Sequence, residues 1–525
     1  MASDRPGWAA RRRGLNISLR GRRDPASGAG QRTRVSSSLG DRHTRRVLDL
    51  TIRLAEVMLS SGSGTADVVA TAQDVAQAYQ LTDCVVDVFV TTIFVSALPT
   101  VDSPPVTIVR SVQARSTDYT RLAELDELVR RITGGGVSVD EAHEAMDELA
   151  ARPHPYPRWV ATAGWAGFAV GIAMLLGGTW LTCLLAAVSS VLIDRVGRLL
   201  NRVGVPFFFQ QAVGALIATL VAAAAFVLAG QGPTALVATG IVMLLSGMTL
   251  VGSVQDALTG YMLTAVARLG DVVFLTAGIV VGILGGLKVA ALAGIQIELH
   301  VDATESFVTP NRPLPILLAI SGAALAGACL TIASYARPRA VVTAGAVAGL
   351  AELLLISLAN ADLGQVVATG TAAVGVGLLA TFLSIRQQAP ALVTATAGIT
   401  PMLPGMAVFR SVFFLAVDNN YVGGTAQALA AAATALAIAA GAVMGELLAS
   451  PLRYGAGRVG EFIRVEEPPG LRRAVGRVVR LRPATGRVVN RGPHQRSWSV
   501  ALEPTPATEA APALPRLHAD GSDEQ

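Results

Sequence analysis

The chain has 525 residues, 52% hydrophobic and 15% charged, with a net charge of +5 and a mean hydropathy of +0.52. A soluble protein carries about 25% charged residues, so the composition excludes an ordinary soluble enzyme and points to a membrane protein. The cysteines, Cys84, Cys183 and Cys329, lie far apart and exclude a disulfide framework or a cysteine metal site.

Residues 1–46 hold twelve Arg and three Asp among Gly and Ser, the composition of a disordered basic arm. Arg11, Arg12 and Arg13 are followed by GLNISLRGRRDP, not by an apolar core, so no secretory signal is expected. Residues 47–158 have a soluble composition. VLDLTIRLAEVMLSSG and TADVVATAQDVAQAYQL show helical spacing around a Gly-Ser-Gly break, with Thr65 as the expected N-cap. CVVDVFVTTIFVSAL reads as one strand and VTIVRSV as its partner. DYTRLAELDELVRRI and SVDEAHEAMDELA read as two amphipathic helices. The order ααββαα predicts a small α+β domain.

Residues 159–450 are apolar almost throughout. At about 20 residues per crossing, spans are expected at 159–177, 179–194, 206–229, 233–252, 271–294, 313–335, 339–359, 363–385, 391–404 with its continuation, and 422–449. Alternate loops carry the arginines: Arg158; Arg195, Arg198 and Arg202; Arg268; Arg337 and Arg339; Arg386; Arg453 and Arg458. The intervening short loops have no base, and 295–312 is mainly acidic. The positive-inside rule then predicts ten crossings of the plasma (inner) membrane with both termini cytoplasmic. Residues 159–294 form one five-helix half, 295–312 an extracytoplasmic loop, and 313–450 the other half. Residues 451–525 are a disordered cytoplasmic tail, and anionic lipids would attract both basic tails.

LVGSVQDAL at 250–258 and LPGMAVFRS at 403–411 each close the fourth span of a half. An odd number of spans reverses the second half in the bilayer, so the halves are expected to be inverted repeats, a plan of secondary transporters. The fold class expected is an all-α polytopic membrane protein, ten transmembrane helices in two inverted five-helix halves, preceded by a small cytoplasmic α+β domain. Pro401, Pro404 and Gly405 break the ninth span, and broken backbone persists in a bilayer only beside protein or a water-filled path. Freed backbone groups and helix ends there can bind the charged head of a small zwitterion; a plain structural kink is the competing reading.

An ionisable residue inside the apolar zone costs roughly 2.5–3.5 kcal/mol and asks for a reason. Asp256 and Arg410 follow Gly252 and Gly405 in equivalent segments, 253–268 being read as an amphipathic helix at the inner face. Both are candidate pathway residues, or else interfacial charges. Glu352 and Glu446 are candidate proton carriers, or else ion-paired or snorkelling groups. Thr249, Thr259 and Thr400 can bond a solute hydroxyl or their own backbone. Lys288 can snorkel outward. Gly278, Gly282 and Gly286 form a small-residue ridge for helix packing.

With LAEVMLSSGSGTADVV, CVVDVFVTTIFVS, LSGMTLVGSVQDALTGYMLTAVARLGD and GITPMLPGMAVFRSVFFL in view, residues 47–450 resemble the threonine/serine exporter family. The first half departs from the family pattern, with Val251-Gly252 where a Pro-Gly stands. The resemblance implies a cytoplasmic domain, two five-span regions, and export of threonine and serine driven by the proton motive force. The implied partners are a small amino acid, protons and the bilayer, with homo-oligomer formation left open and no cofactor, metal or nucleic acid. Two other classes find little support. A membrane enzyme finds no His-Glu-x-x-His or Gly-x-Ser-x-Gly, leaving only Asp83 or Asp87 of the soluble domain. A sensor finds no phosphotransfer or nucleotide motif. Another small zwitterion or an organic acid remains an alternative cargo.

Overall fold

A computed structural model describes residues 28–81, 83–98, 104–112, 118–229, 237, 239–240, 244, 247–295, 313–361, 363–387, 390–416 and 420–454. The amino-terminal module comprises α1 (Gly28–Ser60), α2 (Thr65–Ala78), β1 (Cys84–Phe89), β2 (Thr92–Ala97), β3 (Val106–Ser111), α3 (Tyr119–Thr133) and α4 (Val139–Ala151). The strands form one antiparallel sheet in the order β1-β2-β3. Two expectations change here. Residues 28–46, read as disordered, are helical as part of α1; arginine is a good helix former, and the helix is anchored by buried residues from Thr44 onward. The single strand expected over 84–98 is a hairpin that turns at Val90–Thr91, with Val86 opposite Val95 and Val88 opposite Ile93.

Helix α1 is buried on two faces. Leu48, Ile52 and Leu59 pack on Val68 and Ala72 of α2 and on Val86, Val88, Ile93 and Val95 of the sheet. Leu50 and Leu54 meet Leu122, Leu125 and Val129 of α3 and Met146 and Leu149 of α4. Each such fully buried aliphatic side chain contributes about 1.5–3 kcal/mol. Asp118 caps α3 by accepting from Arg121 N–H at 3.0 Å, and Ser138 with Glu141 forms a capping box on α4.

The apolar part continues with α5 (Arg158–Leu175), α6 (Trp180–Val203), α7 (Phe207–Ala229), α8 (Gly247–Leu258), α9 (Met262–Leu292), α10 (Pro313–Ala333), α11 (Pro338–Ala359), α12 (Gln365–Gln387), α13 (Ala391–Ile399), a 3₁₀ turn (Thr400–Met402), α14 (Gly405–Ala416) and α15 (Tyr421–Tyr454). Among the described residues, α5, α7, α9, α10, α11, α12 and α15 are long and apolar enough to cross a membrane, and α13 with α14, bent by 50°, makes an eighth span. The ten expected spans are therefore seen as seven or eight. Helix α6, where 179–194 was expected to cross, continues through Asp194, Arg195, Arg198 and Arg202 and is not among them. The expected span 233–252 lies largely outside the described residues, as do 1–27, most of 295–312 and the tail beyond 454.

Glycines set the closest approaches. A Cβ on Gly282 of α9 would stand 2.1 Å from the Ala212 carbonyl oxygen of α7, and one on Gly286 would stand 2.7 Å from Thr219 Cβ. The ridge of Gly278, Gly282 and Gly286 is thus a packing surface, as its spacing predicts. Gly171 of α5 and Gly322 of α10 face each other in the same way, and Gly441 and Gly445 of α15 lie on Gly370 and Val374 of α12. Helix pairs in contact include α5–α6, α6–α7, α7–α9 and α8–α9, then α10–α11, α11–α12, α12–α15 and α14–α15. Between these two groups, α5 packs on α10 and α8 on α15.

Candidate functional site

The short helix α8 carries Thr249, Gly252 and Asp256, and Thr259 opens the turn that follows. That turn reverses the chain at Gly260, whose φ of +94° suits glycine, and Tyr261 N–H closes it on the Asp256 carbonyl at 2.8 Å. Ser253 Oγ donates to the Ala265 carbonyl at 2.7 Å, fastening α8 to the start of α9. The first-half interruption therefore falls at 259–261 and not at Gly252, and the amphipathic helix expected over 253–268 is divided between α8 and α9. Gly252 lies inside α8, where its missing side chain makes room for a cation: a Cβ there would be 3.2 Å from Arg268 Nη1.

Arg268 projects from the second turn of α9. Its Nη1 lies 2.9 Å from Asp256 Oδ2. The other oxygen, Oδ1, accepts the Thr65 backbone N–H at 3.2 Å. Asp256 is 1% exposed and Arg268 9%, so the pair is dehydrated and each charge depends on the other. Thr65 is the first residue of α2. Gly64 is the N-cap and supplies no side-chain bond, which corrects the expectation that Thr65 caps this helix. Its amide instead reaches across to the apolar helices. The Thr65 hydroxyl is fully buried and, among the described residues, has no hydrogen-bond partner.

Among the described residues the module also touches the apolar helices at the hairpin tip and at the α10–α11 turn. At the first, Thr264 Oγ1 of α9 donates to the Val88 carbonyl at 3.3 Å and accepts Val90 N–H at 3.2 Å. This contact holds the hairpin tip, where Val90 has a φ of +57°, a costly conformation for a β-branched residue. Tyr261 packs on the module's core. At the second, the α10–α11 turn receives α3. Tyr119 N–H donates to the Ser334 carbonyl at 3.0 Å, and Thr120 Oγ1 donates to the Tyr335 carbonyl at 2.6 Å. The His154 ring stacks on Tyr335 with centroids 4.5 Å apart and bonds Asp118 at 2.6 Å.

In the second break, α13 ends in the Thr400–Met402 turn, which contains Pro401, and Leu403 is extended before Pro404 and Gly405 restart the helix. Thr400 Oγ1 donates to the Thr396 carbonyl at 2.6 Å and Thr259 Oγ1 to the Gln255 carbonyl at 3.0 Å, so both hydroxyls serve their own helices. Ile399 and Met402 enter one buried cluster with Val251 of α8, Val347 and Ala351 of α11, and Ile438 of α15. The interrupted segments thus converge. Glu352 lies next to Ala351, is 5% exposed, and its Oε2 has no hydrogen-bond partner among the described residues. Arg410 is half-buried on α14 and Glu446 half-buried on α15. Asp256 and Arg410 occupy separate helices, α8 and α14, each packed against α15.

Several residues here were not singled out from the sequence. Arg268 reads from the sequence as a loop charge, and only the chain reversal at Gly260 brings it to Asp256. Ser189, Ser190 and Gln211 hold buried polar atoms without hydrogen-bond partners among the described residues; no charge or motif marks them. Asp87, weighed for an enzyme, accepts Val88 N–H at 2.8 Å, and burial pushes the Cys84 thiol up to about 11, so it is protonated at neutral pH. Among the described residues no group of three His, Cys, Asp or Glu could hold a metal ion.

Two family models match the chain: "Putative threonine/serine exporter" over residues 49–290 and "Threonine/Serine exporter, ThrE" over residues 319–448. The chain is 72% identical over 509 residues to a "Probable threonine/serine exporter" of Mycobacterium tuberculosis, covering 97% of this chain and 96% of that protein. It is 36% identical over 413 residues to a "Threonine/serine exporter" of Corynebacterium glutamicum, covering 78% and 83%. No solved structure matches. The chain belongs to the threonine/serine exporter family and is a multi-pass membrane protein that exports amino acids.

Proposed function

We propose that the chain is a secondary transporter that carries threonine and serine out across the plasma membrane, driven by the proton motive force. Both termini and the amino-terminal module face the cytoplasm, in accord with the arginine-bearing loops. Ten crossings in two inverted five-helix halves rock about a site near the interrupted helices. The repeated pairing of helices supports this plan: α5–α6, α6–α7, α7–α9 and α8–α9 correspond in order to α10–α11, α11–α12, α12–α15 and α14–α15.

The observation that carries the reading is the buried Asp256–Arg268 pair at the end of α8, whose Val251 joins the buried cluster of Ile399 and Met402. A zwitterion offers one ammonium and one carboxylate. It can enter between Asp256 and Arg268 and leave every buried charge paired. A simple amine or organic acid leaves one charge alone, at a cost of about 3–5 kcal/mol. The solute then passes Thr249, Gly252 and Thr259 toward Thr400, Pro401, Pro404, Gly405 and Arg410, and Glu352 and Glu446 take up the entering proton. Anionic lipids hold the basic tails, and the protein can assemble as a homo-oligomer.

Counterflow into proteoliposomes tests the cargo. Internal threonine or serine should drive uptake of labelled threonine, whereas ethanolamine and 3-hydroxybutyrate should not. Equal counterflow with either single-charge compound would refute a zwitterion site.

A further inference from the structure

We infer that the amino-terminal module supplies a wall of the substrate site: the first turn of α2, the Thr65 hydroxyl and the Arg268 guanidinium form a carboxylate subsite, which Asp256 fills in this structure and the substrate's α-carboxylate fills during transport. The inference rests on the exporter reading, but it assigns a role to a residue far from the membrane-spanning helices in sequence.

Helix α2 has 14 residues, enough to present a positive N-terminal end; its N-cap, Gly64, supplies no side-chain bond, and Asp67 stands in its first turn. A carboxylate already sits there: Asp256 accepts the Thr65 N–H and pairs with Arg268. The independent observation is the Thr65 hydroxyl, wholly buried beside that amide and without a partner. A buried hydroxyl without a partner is destabilising. A valine would fill the same volume. An amide N–H, a hydroxyl and a guanidinium together are the donors that a carboxylate accepts, and Asp256 engages the first and the last. A substrate carboxylate replacing it adds the hydroxyl bond. Asp256, displaced, pairs with the substrate ammonium, so the exchange keeps two positive and two negative charges in the site. The contact between the module and α8 is then made and broken with each substrate that passes.

The test uses the full-length protein in lipid nanodiscs, with threonine as the probe and three readouts: threonine Kd, threonine amide Kd, and melting temperature. Wild type should bind threonine and bind the amide, which lacks the carboxylate, about 100-fold more weakly, as expected when one ionic contact is lost. Thr65→Val should weaken threonine about tenfold and weaken 2-aminobutyrate equally, since both carry the carboxylate. Its melting temperature should stay or rise. Thr65→Ser should bind as wild type does. Unchanged threonine affinity in Thr65→Val, beside a wild type that transports threonine, would overturn the subsite and leave the exporter reading standing. A loss of binding matched by an equal loss of stability in both Thr65→Val and Thr65→Ala would make Thr65 a structural residue, and would also overturn it. Failure of wild type to bind or transport threonine would overturn the exporter reading itself.

Discussion

Removing the Asp256 carboxylate should destabilise the protein more than removing both members of its ion pair. Asp256→Ala leaves the Arg268 guanidinium, 9% exposed, as a buried charge without its carboxylate, at about 3–5 kcal/mol. It also orphans the Thr65 N–H, at about 1 kcal/mol more. Asp256→Asn keeps an acceptor for Thr65 and the side-chain volume, so it should lose less. Replacing Arg268 by methionine in the Asp256→Ala background removes the stranded charge and retains apolar volume beside Gly252, so the double variant should recover most of the loss. The assay is thermal unfolding of the purified full-length protein, read as a double-mutant cycle. The order expected is wild type, then the double variant, then Asp256→Ala. Stability of Asp256→Ala within about 0.5 kcal/mol of wild type, or simple additivity of the two changes, would refute the argument that this pair is dry and mutually dependent.

Three further outcomes follow from the packing. Gly282→Val should abolish a monodisperse peak in size-exclusion chromatography, because its Cβ would overlap the Ala212 carbonyl, whereas Gly270→Ala, with open space around the site, should behave as wild type. Val90→Gly relieves a strained backbone and should shift the melting temperature upward or leave it unchanged, within about 1 kcal/mol; a marked loss would mean that the side chain itself holds the hairpin tip. Glu352→Gln should leave the fold intact and remove the acceleration of threonine export by a pH gradient, measured as the ratio of rates with and without the gradient.

How much of this was legible in the sequence differs by kind of signal. Long apolar runs mark helices because a bilayer tolerates little else, and seven such helices plus the bent α13–α14 pair are seen. The ridge of Gly278, Gly282 and Gly286 was legible because packing needs small residues at a fixed spacing. The break at 400–405 was legible because proline cannot continue the backbone ladder. The Val90–Thr91 turn was not, since it carries no Gly, Asn or Pro; a contact from Thr264 holds it. Nor was the partner of Asp256. Loop statistics assign Arg268 to a side of the membrane but say nothing of pairing between helices. Thr65 was visible as a helix start, yet its amide and hydroxyl gain meaning only from α8, 191 residues away along the chain.

Threonine movement into inside-out membrane vesicles tests the central claim most directly. With the lumen acidified, vesicles containing the wild-type chain should accumulate labelled threonine above the outside concentration, lose it on addition of a protonophore, and show no such accumulation with Asp256→Asn. Equal uptake with and without the pH gradient, or undiminished accumulation by Asp256→Asn, would contradict proton-driven export through the Asp256–Arg268 site.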